Sequence, residues 1–143
     1  MRYDPNNILK RIVLKELPCH LVYEDTHTVA FMDIMPESPG HFLVVPKDAD
    51  TDLTTSSEEA AISAIKLVRK IAKAALTAFD ADGIVVKQFN RAPAGQTIFH
   101  LHFHVVPIYN NQPLNAHERH RADDELLATH AATLKLALSN DFE

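Results

Sequence analysis

The residues best suited to chemistry lie in the segment 98–107, which reads Ile-Phe-His-Leu-His-Phe-His-Val-Val-Pro. His100, His102 and His104 occupy every second position, with apolar residues between them. Successive side chains of a β-strand point to opposite faces, so this alternation predicts a strand that ends at Pro107. The three imidazoles are expected on one face. The opposite face carries the side chains of Phe99, Leu101, Phe103 and Val105.

A row of three imidazoles can serve either a metal ion or a phosphate group. Neighbouring histidines on a strand lie roughly 6.6 Å apart and the outer pair roughly 13 Å, so two can share one zinc ion but the third cannot. A zinc hydrolase would need further ligands, for which His41, His117 and His120 are candidates. Phosphate chemistry suits the row better, because imidazoles act near neutral pH as nucleophile, hydrogen-bond partner and cation. The alternative without a functional site is a half-buried strand whose polar face happens to be rich in histidine.

The elements that must hold this strand are predicted from the periodicity of the apolar residues. The 143-residue chain is expected to form one domain over residues 1–143, and its apolar content of 46% is ordinary for a globular protein. The periodicity predicts further strands at 20–24, 28–33, 41–46 and 84–90, and terminal helices at 6–16 and 123–138. These elements amount to an α+β fold with one antiparallel sheet of about five strands.

The clearest predicted helix is Ala60–Phe79, which should pack on the sheet. Its N-terminus is predicted to form a capping box that pairs Ser56 with Glu59 or Thr55 with Glu58. Helical spacing predicts that one stripe faces the core. That stripe consists of Ile62, Ile65, Val68, Ile71 or Ala72, Ala75, Leu76 and Phe79.

The charge and the remaining composition exclude several classes of protein. A net charge of −5 provides no basic face for a phosphate backbone, which argues against nucleic acid as a partner. The single cysteine, Cys19, allows no internal disulfide and no cysteine-rich metal site. The N-terminus has no apolar signal segment, and no apolar run approaches the length of a membrane span, about 18 residues. A soluble, cytoplasmic protein with no membrane partner is therefore expected.

The segment His100–Val106 resembles the signature of the histidine triad (HIT) family, in which three histidines alternate with apolar residues. Every position of that signature is matched here. The resemblance covers roughly residues 7 to 108, in order and at similar spacing, so it is highly specific. Its other segments are Val22–Asp25, Ala30–Ile34, Pro39–Lys47, Asn90 and Ala94–Gln96. The chain is similar to the bacterial nucleoside phosphoramidase and dinucleotide hydrolase-like members.

The resemblance implies a HIT-like fold and an enzyme, a nucleotidyl hydrolase or transferase acting at the α-phosphate of purine nucleotide conjugates. His102 matches the family's nucleophile, which attacks phosphorus and forms a covalent nucleotidyl-histidine that water then cleaves. His100 and His104 match the positions that orient the nucleophile and bond phosphate oxygens. His41 matches a fourth histidine near the triad. No cofactor and no metal ion are expected, and the resemblance does not identify the leaving group.

The resemblance also implies which residues hold the nucleotide. Phe31 and Ile34 match the positions that flank the base, and Asp33 matches the acceptor of the ribose hydroxyls. Two roles have structural alternatives, because Asp33 can cap a turn and Asn90 can close the junction between strand and loop. The positions implied for the phosphate, ribose or leaving group are Asn90, Gly95, Gln96 and Thr97.

Assembly and metal content follow from the same resemblance. Members of the family pair as dimers that join two sheets, so a homodimer is expected, with the helix 60–79 as its interface. Many bacterial members carry a Cys-x-x-Cys zinc pair near the N-terminus, but Asn7 and Lys10 stand there, so structural zinc is not expected. The basic residue often found after the triad's proline is Ile108 here. Two other functions stay open: a nucleotide-binding or scaffolding protein with little turnover, and a His-x-His metallohydrolase.

Overall fold

The computed structural model describes residues 1–115 and 120–141, which contain one sheet and three α-helices. The strands are β1 Leu21–Glu24, β2 Thr28–Met32, β3 Phe42–Pro46, β4 Gly83–Lys87 and β5 Phe103–Ile108. The helices are α1 Ile8–Val13, α2 Glu58–Ala78 and α3 Asp124–Asp141. All strand pairs are antiparallel, in the order β1-β2-β3-β5-β4, which confirms the predicted α+β fold class.

The central strands β2 and β3 are buried along their whole length, so the sheet carries a core on each side. The short helix α1 covers the smaller core, which includes Phe31 and Leu43. His104 pairs with Leu43 across the strands and therefore lies on the α1 side of the sheet. On the opposite side, α2 and α3 pack over Met32, Phe42, Val44 and Val105.

The histidine segment forms a strand only from Phe103 onwards, so the predicted strand is wrong for its first half. The register between β3 and β5 would place Leu101 opposite Pro46, which has no N–H to donate. The Leu101 amide donates instead to the Asp50 carbonyl at 2.9 Å. His100 therefore lies outside the hydrogen-bond ladder of the sheet, and the three imidazoles do not form one straight row.

Helix α2 packs on the sheet as predicted, but its buried stripe matches the predicted one only at Val68, Ile71 and Ala75. Its N-cap is Ser57, whose hydroxyl accepts a hydrogen bond from the Ala60 amide, so the predicted capping boxes are wrong. The side chains of Ile62, Ile65 and Leu76 are exposed, although the periodicity assigns them to the core. Alanines dominate the buried face and let the helix approach the sheet closely. The buried residues of α2 are Ala60, Ala64, Leu67, Val68, Ile71, Ala74 and Ala75.

Within the described ranges, no helix is long and apolar enough to span a membrane. His117, a candidate metal ligand in the sequence, lies outside the described residues. The single-domain organisation over residues 1–143 and the cytoplasmic location stay predictions.

Candidate active site

A cleft of about 270 Å³ lies between the β2–β3 loop, the end of β4 and the segment that leads into β5. The cleft brings the last two triad histidines together with the loop predicted to contact the phosphate. Five of its lining residues are predicted site residues, namely Gly95, Gln96, Thr97, His102 and His104. The other lining residues are Glu37, Lys87 and Phe89.

The backbone determines which nitrogen of His102 carries its proton. Nδ1 of His102 lies 2.7 Å from the carbonyl oxygen of His100. A carbonyl oxygen only accepts hydrogen bonds, so Nδ1–H donates and the lone pair of the ring is on Nε2. His102 is buried, with its side chain in the cleft wall. An imidazole in this tautomer is a nucleophile that needs no prior deprotonation.

The proton position of His104 follows in a similar way from its contact with His41. The backbone N–H of Glu37 donates to Nδ1 of His41 at 3.0 Å, so the proton of His41 is on Nε2. Nε2 of His41 lies 3.0 Å from Nδ1 of His104 in a buried contact. Nδ1 of His104 therefore accepts, and its own proton is on Nε2. The last triad histidine offers an N–H group from Nε2, whereas the middle one offers a lone pair.

Gly40 makes the turn that brings His41 into this contact. Its φ is +90°, a left-handed conformation that favours glycine. A Cβ atom at this position would lie 2.7 Å from the ring of Phe79, so the turn has no room for a side chain. The His41 amide then donates to the Ser38 carbonyl at 3.2 Å, which closes the turn.

Asp33 lies beside the two histidines and is itself buried. Its Oδ1 accepts from the Met35 amide at 2.8 Å, so it caps a turn, as the structural alternative predicted. Its Oδ2 lies 3.4 Å from Nε2 of His41 and 3.7 Å from Nδ1 of His104. One carboxylate therefore orders the β2–β3 loop and also neighbours the N–H of His41.

His100 differs from the other triad histidines because both of its ring nitrogens bond to protein groups that lie outside the cleft wall. Its Nε2 lies 2.8 Å from the Pro46 carbonyl and its Nδ1 lies 2.6 Å from the Tyr3 hydroxyl. Since the carbonyl accepts, Nε2–H donates, and Nδ1 accepts from Tyr3. Burial lowers the pKa of His100 from 6.5 to about 4, so the ring is neutral at physiological pH. His100 reaches His102 through its backbone carbonyl.

Two amide side chains hold the loop that precedes β5. Gln96 is buried, and its Oε1 accepts from the Arg91 amide at 2.7 Å while its Nε2 donates to the Thr51 carbonyl at 2.6 Å. The Oδ1 of Asn90 accepts from the Leu53 amide at 2.9 Å, so this side chain ties the loop to the segment before α2, a contact more distant than the local junction given as its alternative role. Both amides therefore position the loop. Their contact with a nucleotide stays a prediction.

Among the residues that the structure describes, the buried groups that come closest to a metal site are Asp33, His41 and His104, whose ligand atoms lie within 4.8 Å of one another. The spacing suits a metal ion, but the proton positions do not. The ligand atom of His41 would be Nε2, and the Glu37 N–H at Nδ1 requires that Nε2 keep the proton. If a metal ion bound Nε2 of His41, the ring proton would move to Nδ1 and would face the backbone N–H of Glu37. The donor set therefore fits a hydrogen-bonded network better than a metal ion.

Comparison with known proteins identifies the family. A model described as the HIT domain matches residues 14–111, a range that includes all five strands. The chain belongs to the histidine triad (HIT) family. A HIT-like protein of Rickettsia prowazekii is 39% identical to this HIT protein over 106 residues, which cover 73% of this chain and 88% of that protein. Family membership supports a role in nucleotide binding or in nucleotide hydrolysis or transfer.

Solved structures share the fold of this HIT protein. A HIT-like protein from Bartonella henselae, involved in cell-cycle regulation, has a TM-score of 0.91 at 43% identity, covering 96% of this chain and 99% of that one. A zinc-bound histidine triad protein from Mycobacterium smegmatis has a TM-score of 0.85 at 31% identity, covering 96% of each. In this HIT protein Asn7, one of the two residues at the Cys-x-x-Cys places, caps α1 by accepting from the Lys10 amide at 2.9 Å.

Three polar residues of the site were not predicted from the sequence. Tyr3 bonds His100 across 97 positions of the chain. Glu37 directs the His41 tautomer through its backbone, and its carboxylate binds the Lys87 ammonium, with 2.7 Å from Nζ to each oxygen. That ion pair spans 50 positions. No local pattern signals contacts of this length, so only the folded chain shows them.

Proposed function

We propose that this HIT protein hydrolyses or transfers nucleotidyl groups at the α-phosphate of purine nucleotide conjugates, through a covalent intermediate on His102. The observation that carries this proposal is the tautomer of His102, whose Nδ1–H is held by the His100 carbonyl at 2.7 Å. This bond puts the lone pair of the ring on Nε2, in a residue of the cleft wall. A nucleophile needs that lone pair at the moment of attack.

The proposed reaction has two displacement steps. In the first, Nε2 of His102 bonds to phosphorus, and the leaving group departs with the electron pair of the bond that breaks. The imidazole then carries a positive charge, which the His100 carbonyl stabilises through Nδ1–H. In the second, water adds its hydroxyl to phosphorus, the P–N electron pair returns to Nε2, and the remaining proton goes to solvent. Two moderate barriers replace one high barrier.

The neighbouring histidines take different proposed roles. Nε2–H of His104 would donate to a non-bridging oxygen of the α-phosphate, where charge develops in the transition state. His41 keeps the proton of His104 on Nε2, because Nε2–H of His41 donates a hydrogen bond to Nδ1 of His104 at 3.0 Å. His100 orients the nucleophile through its carbonyl, and its imidazole holds the surrounding chain.

We also propose that Asp33 accepts the ribose hydroxyls and that Phe31 and Ile34 flank the base. Ile34 is 39% exposed just beyond β2, while Phe31 is buried in the cluster under α1. A nucleotide that spans Asp33 and the cleft would bring its α-phosphate to His102 and His104. The remaining proposed contacts are Asn90, Gly95, Gln96 and Thr97.

Trapping the intermediate tests the covalent mechanism. Quench of the protein in alkaline denaturant, where a P–N bond to imidazole survives, during turnover of adenosine 5′-phosphoramidate should leave a nucleotidyl group on His102, which peptide mass spectrometry locates. The variant His27→Gln, at an exposed position, is a control that should form the same adduct on His102. An adduct on His100 or His104 would overturn the assignment. Nucleotide binding with neither turnover nor adduct would instead favour the binding or scaffolding function.

We propose a homodimer as the assembled form. Two neighbouring parts of the surface are apolar, with Ile62 and Ile65 exposed on α2 and Val85 and Val86 exposed on β4, an edge strand of the sheet. Light scattering at micromolar concentration should give twice the chain mass of 16.0 kDa. Ile65→Glu should lower that mass, whereas Leu136→Glu on α3, at a side chain that is 68% exposed, should not. A wild-type mass near that of one chain would refute the dimer.

A further inference from the structure

An ion pair forms part of the cleft wall and has no role in the steps above. Lys87 Nζ lies 2.7 Å from each carboxylate oxygen of Glu37. The Glu37 side chain is 8% exposed and that of Lys87 is 31% exposed, so the pair is only partly in contact with solvent. Lys87 stands opposite His104 in the β4–β5 register, and its Nζ lies 5.9 Å from the centre of the Phe89 ring.

The charges around the cleft are almost balanced before any substrate enters. Of its described lining residues, Lys87 is the only one with a permanent positive charge and Glu37 the only carboxylate. Asp33 adds a second carboxylate close to His104. Since Glu37 already neutralises Lys87, this region offers no surplus cation to a chain of phosphates. An α-phosphate can accept a hydrogen bond from Nε2–H of His104. Further phosphates would be repelled by the Glu37 carboxylate, because the Lys87 ammonium is already paired with it.

The pair lies in the part of the cleft wall that the proposed nucleotide contacts do not use. The proposed nucleotide contacts use Asp33 and Ile34 on one side, and the loop from Gly95 to Thr97 on another. The part of the cleft wall that remains consists of Glu37, Lys87 and Phe89. An in-line displacement needs room for a leaving group on the far side of phosphorus from the attacking nitrogen.

Resting on the proposed function, we propose that Glu37 and Lys87 form a leaving-group subsite that selects by charge and favours amines over polyphosphates. Each Glu37 oxygen has a second lone-pair site that can accept an N–H of the leaving amine. The P–N bond breaks, the amine nitrogen keeps the electron pair, and it takes one proton from water. A polyphosphate leaving group would place its charges against the same carboxylate.

The test compares kcat/KM for adenosine 5′-phosphoramidate with that for diadenosine tetraphosphate. Glu37→Gln frees the ammonium and should move the ratio toward the polyphosphate by about tenfold. Lys87→Met removes the ammonium and should move the ratio the other way by a similar factor. The double variant leaves an uncharged pair and should lie close to the wild type. Glu125→Gln and Lys135→Met, at exposed positions of α3, are controls of matched charge and should leave the ratio unchanged.

Binding separates this inference from the proposed function. ATP carries two more phosphates beyond its α-phosphate than AMP, so calorimetry of both ligands reports the same selectivity without turnover. The wild type should bind ATP no more tightly than AMP, and Glu37→Gln should raise the relative affinity for ATP by about tenfold. If turnover is absent but this shift occurs, the proposed function fails, while selection by the Glu37–Lys87 pair of the charge beyond the α-phosphate stands as a property of binding. If neither variant moves either ratio, the subsite is refuted, whatever the activity.

Discussion

The first and last histidines of the triad are the same residue type in opposite environments. His100 is fully buried, and its ring nitrogens bond the Tyr3 hydroxyl and the Pro46 carbonyl. His104 lies in the cleft wall, and His41 occupies one of its nitrogens. The signature therefore encodes three positions with different partners rather than three equal imidazoles.

This contrast predicts that substitutions at the two ends of the triad cause different losses, one of turnover and one of stability. The cleft end is His104 with its partners, and the Tyr3 end is His100 with its partners. Substitutions at the cleft end should lower turnover, because those nitrogens meet the phosphate in the proposed mechanism. Substitutions at the Tyr3 end should lower the free energy of unfolding, because those nitrogens hold distant parts of the chain together. The following four experiments test that separation.

The largest effect is expected for His102→Ala, between the two ends. Turnover should fall by about 10⁴-fold or more because the nucleophile is lost. AMP binding should survive, since the proposed nucleotide contacts come from other residues. Steady-state kinetics and calorimetry measure the two quantities. Turnover at a substantial fraction of the wild-type rate would contradict the assignment.

At the cleft end, His104→Ala should lower kcat by about 10²–10⁴-fold. His104→Gln should lose less, because its amide N–H can take the place of Nε2–H. The pair of variants tests the tautomer directly. Equal losses in kcat would show that the N–H of His104 does not act on the phosphate.

At the Tyr3 end, acid should destabilise the wild type through His100. Its pKa is lowered to about 4 in the folded chain from its ordinary value of 6.5. The unfolded chain therefore binds more protons between these values, and stability present above pH 6.5 is lost as the pH falls. Urea unfolding should show a loss of about 3 kcal/mol between pH 7 and pH 4 from this group. A flat profile in this window would contradict a buried neutral ring.

The smallest effect is expected for Tyr3→Phe, which removes the hydroxyl that donates to His100. The free energy of unfolding at pH 7 should fall by about 1 kcal/mol, with kcat changed by less than about twofold. The acid-induced loss should also shrink, because the neutral ring loses a hydrogen bond. Tyr109→Phe removes a comparable bond to the Pro39 carbonyl and is the matched control. It should lower stability without altering the pH profile.

Local patterns predicted most of the fold. Strands that alternate or carry continuous apolar runs were recognised, and the turn between β1 and β2 forms at Asp25, whose Oδ1 accepts from the His27 and Thr28 amides. The prediction failed where a partner element decides the outcome. Pro46 ends the ladder that His100 was expected to join. On α2, alanines face the sheet and Ile62 is exposed, because the closeness of packing is not encoded in hydrophobicity alone.

By itself, the sequence determined the family, the fold class and the histidines to examine, because these depend on residue type, spacing and period. Only the tertiary structure decided what each histidine can do. The proton of His102 is placed by a neighbouring carbonyl, that of His41 by the Glu37 amide, and that of His100 by Pro46. A hydrogen bond needs a donor and an acceptor within about 3 Å of each other, and most of these partners meet only when the chain has folded.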